Sequence, residues 1–334
     1  MKPNLFLPPG HALKLLQKVQ SHESAVELVY MSHERWPFSL LPTHPQPKPD
    51  TIRVSVLDSS FNPPTSAHLA LANSLPPPTR YTMRSGLPGS APASAAELDY
   101  DARLLLLSVR NADKALKPGD ATYEQRLEMM YLLSKDISAS HAQLPEGRSE
   151  SGYANVAIAI IDEPTFIGKA AVLRHFLRAR ITDLYTLDRR AIAPTSPEIS
   201  IPNARLVFLI GFDTLVRLLS PRYYASEAAM MDALRFFFSP GGGDCCVVCA
   251  QRTSAGVERT VQEELKAKTL SAAREFMMKK RVALIDIGAD EISSSEVRTK
   301  VATKDETWKR LVTAPVADYI IQSKLYASET TIHS

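Results

Sequence analysis

Cysteine, net charge and long apolar runs are all scarce in this sequence, and each scarcity excludes a class of protein. The 334 residues contain three cysteines, all between positions 245 and 249, and an odd, clustered set does not make a disulfide framework. The formal net charge of +3 indicates neither a nucleic acid nor a membrane surface as partner. No apolar stretch approaches a membrane span, and the first residues carry Pro8 and Pro9 rather than a signal core. We expect a soluble intracellular protein, cytoplasmic, nuclear or both.

Apolar residues, in contrast, are abundant, and they recur as short runs separated by helical patterns. They make up 45% of the chain, enough for a sizeable core. Strands are predicted at residues 52–56, 103–109, 156–161, 205–210, 246–250 and 282–287. Helical patterns lie between them at residues 120–137, 166–180 and 257–279, with a proline-containing loop predicted at 188–203. This alternation predicts an α/β fold, an open, doubly wound and mainly parallel sheet with right-handed crossovers.

The domain organisation follows from where prolines and small residues concentrate. Residues 11–32 carry apolar side chains at roughly helical spacing, and five prolines between positions 37 and 50 indicate a linker. We therefore expect an N-terminal helical extension with a Pro-rich linker over residues 1–50, followed by one catalytic domain over 51–330. A stretch at about 79–99, rich in glycine, proline, serine and alanine, predicts a flexible insertion in that domain.

The segment LDSSFNPPTSAHL at residues 57–69 joins the first of these strands to a helix, and we call its residues 59–65 the phosphate turn. Backbone N–H groups at a helix N-terminus, together with the helix dipole, favour an anion. His68 lies one turn into the helix, within reach of the same anion. Beside Leu69 and Leu71 it could be a packing histidine, but the preceding strand and serine turn favour a nucleotide phosphate site.

A second motif, ISSSEVR at residues 292–298, follows the last predicted strand. Its serines offer capping hydroxyls and free N–H groups, and Arg298 is spaced to project towards the same edge of the sheet. Alone, the serines would be an ordinary helix cap. Combined with the phosphate turn, they predict a polyphosphate site.

Together, SFNPPTSAHL (60–69) and ISSSEVR (292–298) resemble the nucleotidylyltransferase superfamily, and more narrowly the nicotinamide mononucleotide adenylyltransferases. Thr65 stands where the wider superfamily has its first histidine, as in that branch. The resemblance extends over about residues 52–326, through Gly211-x-Asp213 after one strand, Arg252 after the next and a closing helix that ends near Tyr326. The segment IIDEPTF (160–166) is most similar to divergent fungal members.

The resemblance implies a Rossmann-like nucleotidylyltransferase fold and transfer of AMP from ATP to nicotinamide mononucleotide, giving NAD and pyrophosphate with Mg²⁺ bound to the triphosphate. The implied catalytic residues are His68, acting as an imidazolium, Thr65 and Arg298. The implied ATP ligands are Ser59, Ser60, Phe61, His68, Gly211, Asp213, Ser294, Ser295 and Arg298. The implied acceptor ligands are Lys114, Lys117, Arg126, Glu163, Phe166 and Arg252, and a one-residue gap decides which lysine matches.

Several of these residues have a plainer interpretation. Asp213 is equally suited to capping a helix, Glu163 to holding a loop, and Lys114 and Lys117 to being solvated charges. Cys245, Cys246 and Cys249 are better explained as alternate strand residues than as zinc ligands, so no protein metal site is predicted.

The chain also departs from the family pattern. Ser59 and Ala67 replace glycines, and a positive φ at Ser59 would be strained. The tryptophan that many members carry after the third strand is missing, with Phe166 as a substitute for stacking. Two alternatives stay open: a nucleotide-binding protein with a weak ATPase or adaptor role, and an adenylyltransferase for another phosphorylated acceptor. Neither the oligomeric state nor the preference between nicotinamide and nicotinic acid mononucleotides is indicated.

Overall fold

The structure is a computed structural model that describes residues 7–8, 10–38, 51–76, 99–110, 117–142, 155–192, 201–251, 259–288 and 292–327. Its strands are β1 Val26–Met31, β2 Thr51–Asp58, β3 Ala102–Ser108, β4 Val156–Ile161, β5 Asn203–Gly211, β6 Cys246–Ala250 and β7 Val282–Ile285. The α-helices are α1 His11–Gln20, α2 Ser66–Ala72, α3 Tyr123–Ala142, α4 Phe166–Ile192, α5 Phe212–Leu218, α6 Glu227–Phe238, α7 Arg259–Met278, α8 Ser294–Ala302 and α9 Ala314–Gln322. Short 3₁₀ helices span Pro221–Tyr223 and Glu306–Arg310.

The seven strands form one sheet in the order β1-β4-β3-β2-β5-β6-β7, and every pairing except β1 with β4 is parallel. From β2 the chain continues to β3 and β4 on one side of the sheet, and from β5 it continues to β6 and β7 on the other side. The connections that leave β2 and β5 therefore diverge, which opens a crevice at the carboxyl ends of these two strands. The expected doubly wound, mainly parallel α/β fold is therefore confirmed, and the crevice is where such sheets bind ligands.

Helices cover both faces of the sheet, which is why β3 and β4 are buried along almost their whole length. One core packs α4, α6 and α7 against one face, and a second packs α1, α2 and α3 against the other. A third, smaller cluster joins α3 to α8 and α9 through buried residues that include Val297, Trp308 and Tyr326. This cluster fixes α8, and with it the second motif, relative to the phosphate turn.

The expectation of helix throughout residues 11–32 is wrong in its second half. Helix ends at Gln20, and Val26–Met31 forms β1, the antiparallel edge strand beside β4. A register shift between Leu28 and Tyr30 interrupts the two-residue alternation that would have indicated a strand. The N-terminal segment thus contributes a strand to the main sheet.

Two further boundaries differ from expectation. Helix α4 continues to Ile192, into the predicted loop, and ends shortly before Pro194. Helix α6 was not predicted. Most of the predicted insertion at 79–99 and of the linker at 37–50 lies outside the described residues. Among the residues that are described, no helix is long and apolar enough to cross a membrane.

Candidate functional site

The phosphate turn lies at the carboxyl end of β2, beside the crevice. Thr65 is the N-cap of α2, and His68 lies in the helix's first turn. Nδ1 of His68 lies 3.0 Å from the backbone nitrogen of Thr65 and 2.8 Å from its hydroxyl, while Nε2 lies 2.9 Å from Oγ of Ser59. The ring is therefore oriented from both sides, with Nε2 directed at the turn.

These contacts bear on the protonation state of His68. The backbone N–H of Thr65 donates to Nδ1, so Nδ1 carries a lone pair, and the ring proton resides on Nε2. An imidazolium would lose this bond. The contact therefore directs Nε2 of His68 at the phosphate turn as a donor, and the role of His68 as an imidazolium during catalysis stays a prediction.

Within the phosphate turn, the residue with a left-handed backbone conformation is Phe61. Phe61 has a φ of 46°, whereas Ser59 does not adopt a positive φ, so the expected strain at Ser59 is absent. The Phe61 side chain is buried, and its ring centroid lies 5.5 Å from that of His68. The left-handed residue therefore packs beneath the histidine, and the Asn62–Pro63 peptide that follows is cis.

The second motif contacts the phosphate turn directly. Oγ of Ser294 donates to the carbonyl of Pro63 at 2.7 Å, and Nη1 of Arg298 donates to the carbonyl of Asn62 at 2.6 Å. Nη2 of Arg298 also lies 3.2 Å from Oγ of Ser295. The N-terminus of α8, capped by Ser293, and that of α2 therefore meet at one edge of the sheet.

Asp120, which the sequence did not single out, connects these parts. One of its oxygens accepts from the amide of Asn62 at 2.7 Å and the other from the N–H of Lys117 at 3.1 Å, with Arg126 and Arg298 at 3.6 and 3.7 Å. Burial alone would raise the pKa of Asp120, but these hydrogen bonds and guanidinium charges outweigh it, and the pKa is lowered. Asp120 is thus an anion that stabilises the guanidinium groups of Arg126 and Arg298.

Gly211 and Asp213 lie across the crevice from the turn. The β2–β5 register pairs Leu57 with Leu209, which places Gly211, two residues later, level with Ser59. A Cβ on Gly211 would meet no atom of the described residues within 4 Å, its chain neighbours apart, so these residues leave the space beside it open to a ligand. Asp213 is exposed in the first turn of α5, on the rim of a cavity of about 250 Å³ with Arg217, Tyr223 and Leu265.

The predicted acceptor residues are only partly gathered at this edge. Arg126 is buried and donates to the carbonyls of Ser60 and Ala121, and its pKa is lowered by burial. The side chain of Lys117 is exposed near the turn. Lys114 and Arg252 lie outside the described residues, so their roles stay predictions.

Glu163 and Phe166 are engaged in protein contacts around the start of α4. Oε1 of Glu163 accepts from the N–H and hydroxyl of Thr165, and its carboxyl group covers Gly168, where a Cβ would approach to 2.2 Å. The ring of Phe166 packs edge-on against Phe208 of β5 at 5.6 Å. Contact with an acceptor stays a prediction for both.

A cavity of about 230 Å³ lies at the ends of β3 and β4, and of its lining residues the sequence had indicated only Asp162, in the segment at residues 160–166. It is lined by Gln20, His22, Val109, Arg110 and Asp162. The buried carboxylate of Asp162 lies between the Arg110 guanidinium and Nδ1 of His22, the latter at 3.1 Å. Arg110 follows the end of β3, so the rule that parallel sheets bind ligands at the carboxyl ends of their strands could have identified it. His22 comes from the α1–β1 loop and had no signal.

This cavity adjoins the phosphate turn through α3. The hydroxyl of Tyr123 donates to the carbonyl of Val109 at 2.7 Å, and Arg126 lies 5.5 Å from the Tyr123 ring centre. Arg126 in turn donates to Ser60. The two parts are therefore linked by successive contacts along one sheet edge.

The three cysteines lie just before β6 and within it. Cys245 and Cys249 are fully buried, and burial raises the pKa of Cys249 to about 12, so it is an inert strand residue. No group of three or more His, Cys, Asp and Glu side chains suited to a metal occurs in the described part of the chain.

Comparisons with known proteins add an independent line of observation. No protein-family model matches the chain. A curated protein of Schizosaccharomyces pombe is 26% identical over 262 residues, 78% of this chain and 80% of its own length, and is named, provisionally, a nicotinamide mononucleotide adenylyltransferase.

Two solved structures of Plasmodium falciparum nicotinic acid mononucleotide adenylyltransferase also align, each over 82% of this chain and 97% of its own. The complex with NaAD has a TM-score of 0.38 at 15% identity, and the complex with APC 0.34 at 14%. The resemblance indicated by the two motifs is confirmed by the Schizosaccharomyces pombe relative, to which this chain is similar over most of its length.

Proposed function

We propose that the protein transfers AMP from ATP to the phosphate of nicotinamide mononucleotide, forming NAD and releasing pyrophosphate. The observation that carries this proposal is the direct contact of Arg298 and Ser294 with the backbone of the phosphate turn. That contact places two helix N-termini, a guanidinium and the Nε2 of His68 around one mouth. A polyphosphate needs such a convergence of donors, whereas a structural helix pair does not.

The chemistry requires positioning and charge stabilisation rather than a covalent enzyme intermediate. A phosphate oxygen of the acceptor attacks the α-phosphorus in line, the bond from that phosphorus to the bridging oxygen breaks, and its electron pair leaves with pyrophosphate. The Nε2 proton of His68, which faces Ser59, would donate to an α-phosphate oxygen as charge develops. Arg298 and Ser295 would hold the β- and γ-phosphates and stabilise the leaving group.

Mg²⁺ fits this arrangement as a companion of the triphosphate. It prefers phosphate oxygens and water to a complete set of protein ligands. The carboxylate of Asp120 beside the phosphate turn already accepts from Asn62 and Lys117, so the chain supplies hydrogen bonds and guanidinium charge instead. When bound, the ion would neutralise charge on the departing pyrophosphate.

The cavity around Asp162 supports nicotinamide over nicotinic acid as the acceptor's base. Arg110 and His22 are both committed to the Asp162 carboxylate, which leaves no uncompensated positive charge among these three side chains. The neutral amide of nicotinamide can bind beside these three side chains without electrostatic repulsion. The carboxylate of nicotinic acid would face Asp162 and be repelled.

A coupled assay tests the proposed function. Purified protein is incubated with Mg²⁺, ATP and nicotinamide mononucleotide, and NAD is detected through alcohol dehydrogenase. We expect NAD formation that requires both substrates. Slow phosphate release with no NAD would instead establish the weak ATPase or adaptor alternative. Transfer of AMP to another phosphorylated acceptor, with no NAD formed, would establish the alternative adenylyltransferase. Residence in the cytoplasm or nucleus rests on the sequence alone.

A further inference from the structure

A buried ion pair adjoins the first residue of the phosphate turn. Nζ of Lys169 is 2.6 Å from Oδ2 of Asp58, and the two side chains are only 6% and 8% exposed. Asp58 is the last residue of β2 and precedes Ser59, whose hydroxyl contacts His68. A negative charge is thus placed one residue from the turn proposed to hold ATP phosphates.

Lys169 reaches this position from the first turn of α4, which lies against both strands that flank the crevice. Phe166, three residues earlier, packs edge-on against Phe208 of β5, and Nζ of Lys169 lies 5.3 Å from the Phe166 ring centre. Thr165 and Glu163 hold this turn of helix through hydrogen bonds. The ammonium is therefore held by rigid elements between β5 and the end of β2.

An unpaired carboxylate at Asp58 would oppose the binding of a polyphosphate. Repulsion between two negative charges at a partly buried site is large enough to weaken binding by roughly tenfold or more. The ammonium of Lys169 removes that repulsion without occupying the mouth itself. Removal of only one partner of a buried pair also destabilises the fold, so binding and stability must be measured separately.

We propose that Lys169 is a positioning residue for ATP, which neutralises Asp58 and so leaves the phosphate turn electrostatically open to the polyphosphate. This rests on the proposed function only in that the turn binds ATP. A structural role and an electrostatic role of this pair predict different effects on ATP affinity when Asp58 is replaced. If the pair only braces the turn, loss of either partner weakens ATP binding. If it neutralises charge, loss of the lysine weakens binding and loss of the aspartate does not.

The test measures the Kd for MgATP by calorimetry, without acceptor, in Lys169→Met, Asp58→Asn and the double variant. We expect Lys169→Met to weaken binding about tenfold, Asp58→Asn to leave it unchanged or tighter, and the double variant to lie within about threefold of the parent. Lys169→Arg should retain binding. Lys279→Met is the control. Lys279 follows the last residue of α7 and pairs with Glu275 near the start of β7, at the edge of the sheet opposite the phosphate turn.

Thermal unfolding of each variant accompanies these measurements. Should Lys169→Met fail to fold, the neutral double variant and Asp58→Asn still decide the question, since a bracing role predicts weaker binding in both. Weakening of ATP binding by Asp58→Asn and by the double variant would overturn the proposal. Parent protein that binds ATP but makes no NAD would contradict the proposed function alone.

Discussion

The guanidinium of Arg298 donates to the backbone carbonyl of Asn62 at 2.6 Å, across 236 positions of sequence. Asn62 is itself held by Asp120, Ala121 and Tyr326, from the start of α3 and the end of the chain. The phosphate turn is therefore fixed by three separate regions of the chain. This explains how a short turn with an internal positive φ at Phe61 can present a single arrangement of donors.

Replacement of His68 tests the donor at the centre of the site. His68→Ala should lower kcat for NAD formation by roughly 10², because a donor to the developing charge is lost. Steady-state rates from the coupled assay measure this. His175→Ala, on the exposed side of α4, is the control and should leave kcat unchanged. A rate for His68→Ala equal to that of the control would remove His68 from the chemistry.

Gly211 tests whether ATP occupies the crevice. Apart from its chain neighbours, none of the described residues has an atom within 4 Å of a Cβ built there, and φ is −82°, so we expect Gly211→Ala to fold without a penalty. We expect an unchanged Tm and a KM for ATP raised about tenfold, since the new methyl group meets the ligand. Gly241→Ala, which also meets open space, should change neither quantity. An unaltered KM in Gly211→Ala would place the nucleotide elsewhere.

Asp120 should contribute to stability in a pH-dependent way. Its lowered pKa means that the stabilisation is present above the unfolded value near 4 and is lost as the pH falls through the folded value. At pH 7, Asp120→Asn should lower the free energy of unfolding by about 1–2 kcal/mol. The difference from the parent should shrink in denaturant titrations below about pH 4. The exposed Asp318→Asn serves as the control, and a pH-independent difference would contradict the assignment.

Asp162 should determine the preference for the acceptor's base. Because Arg110 and His22 are exposed and can be rehydrated, Asp162→Asn should fold while freeing a positive charge in the cavity. We expect the ratio of kcat/KM for nicotinic acid over nicotinamide mononucleotide to rise roughly tenfold. Asp183→Asn, on the exposed surface of α4, gives the reference ratio. Equal ratios in the two variants would separate this cavity from acceptor recognition.

The sequence allowed most of the parallel sheet to be predicted, because β2 to β7 are apolar runs bounded by turns. It did not allow β1 to be predicted, since the register shift at Leu28 and Tyr30 makes a half-buried strand read like a helix. The two motifs were recognisable because the residues of each are contiguous in the sequence. Lys169 was not, because its partner Asp58 is 111 positions away and only the fold joins them.

The same reason explains the cavity at Asp162. His22 belongs to the N-terminal segment, and only the antiparallel pairing of β1 with β4 carries its loop to the site edge. Glu163 and Phe166 were selected by resemblance. In the structure Glu163 accepts from Thr165, just before α4, and Phe166 packs against Phe208, so contact with an acceptor stays a prediction for both.

The most direct measurement of the central claim follows the phosphorus atoms of ATP. Purified protein is incubated with Mg²⁺, nicotinamide mononucleotide and ATP labelled at either the α- or the γ-phosphate, and the products are separated. We expect the α-label in a dinucleotide that comigrates with NAD and the γ-label in pyrophosphate. Label from the γ-phosphate in inorganic phosphate, with no labelled dinucleotide, would contradict it.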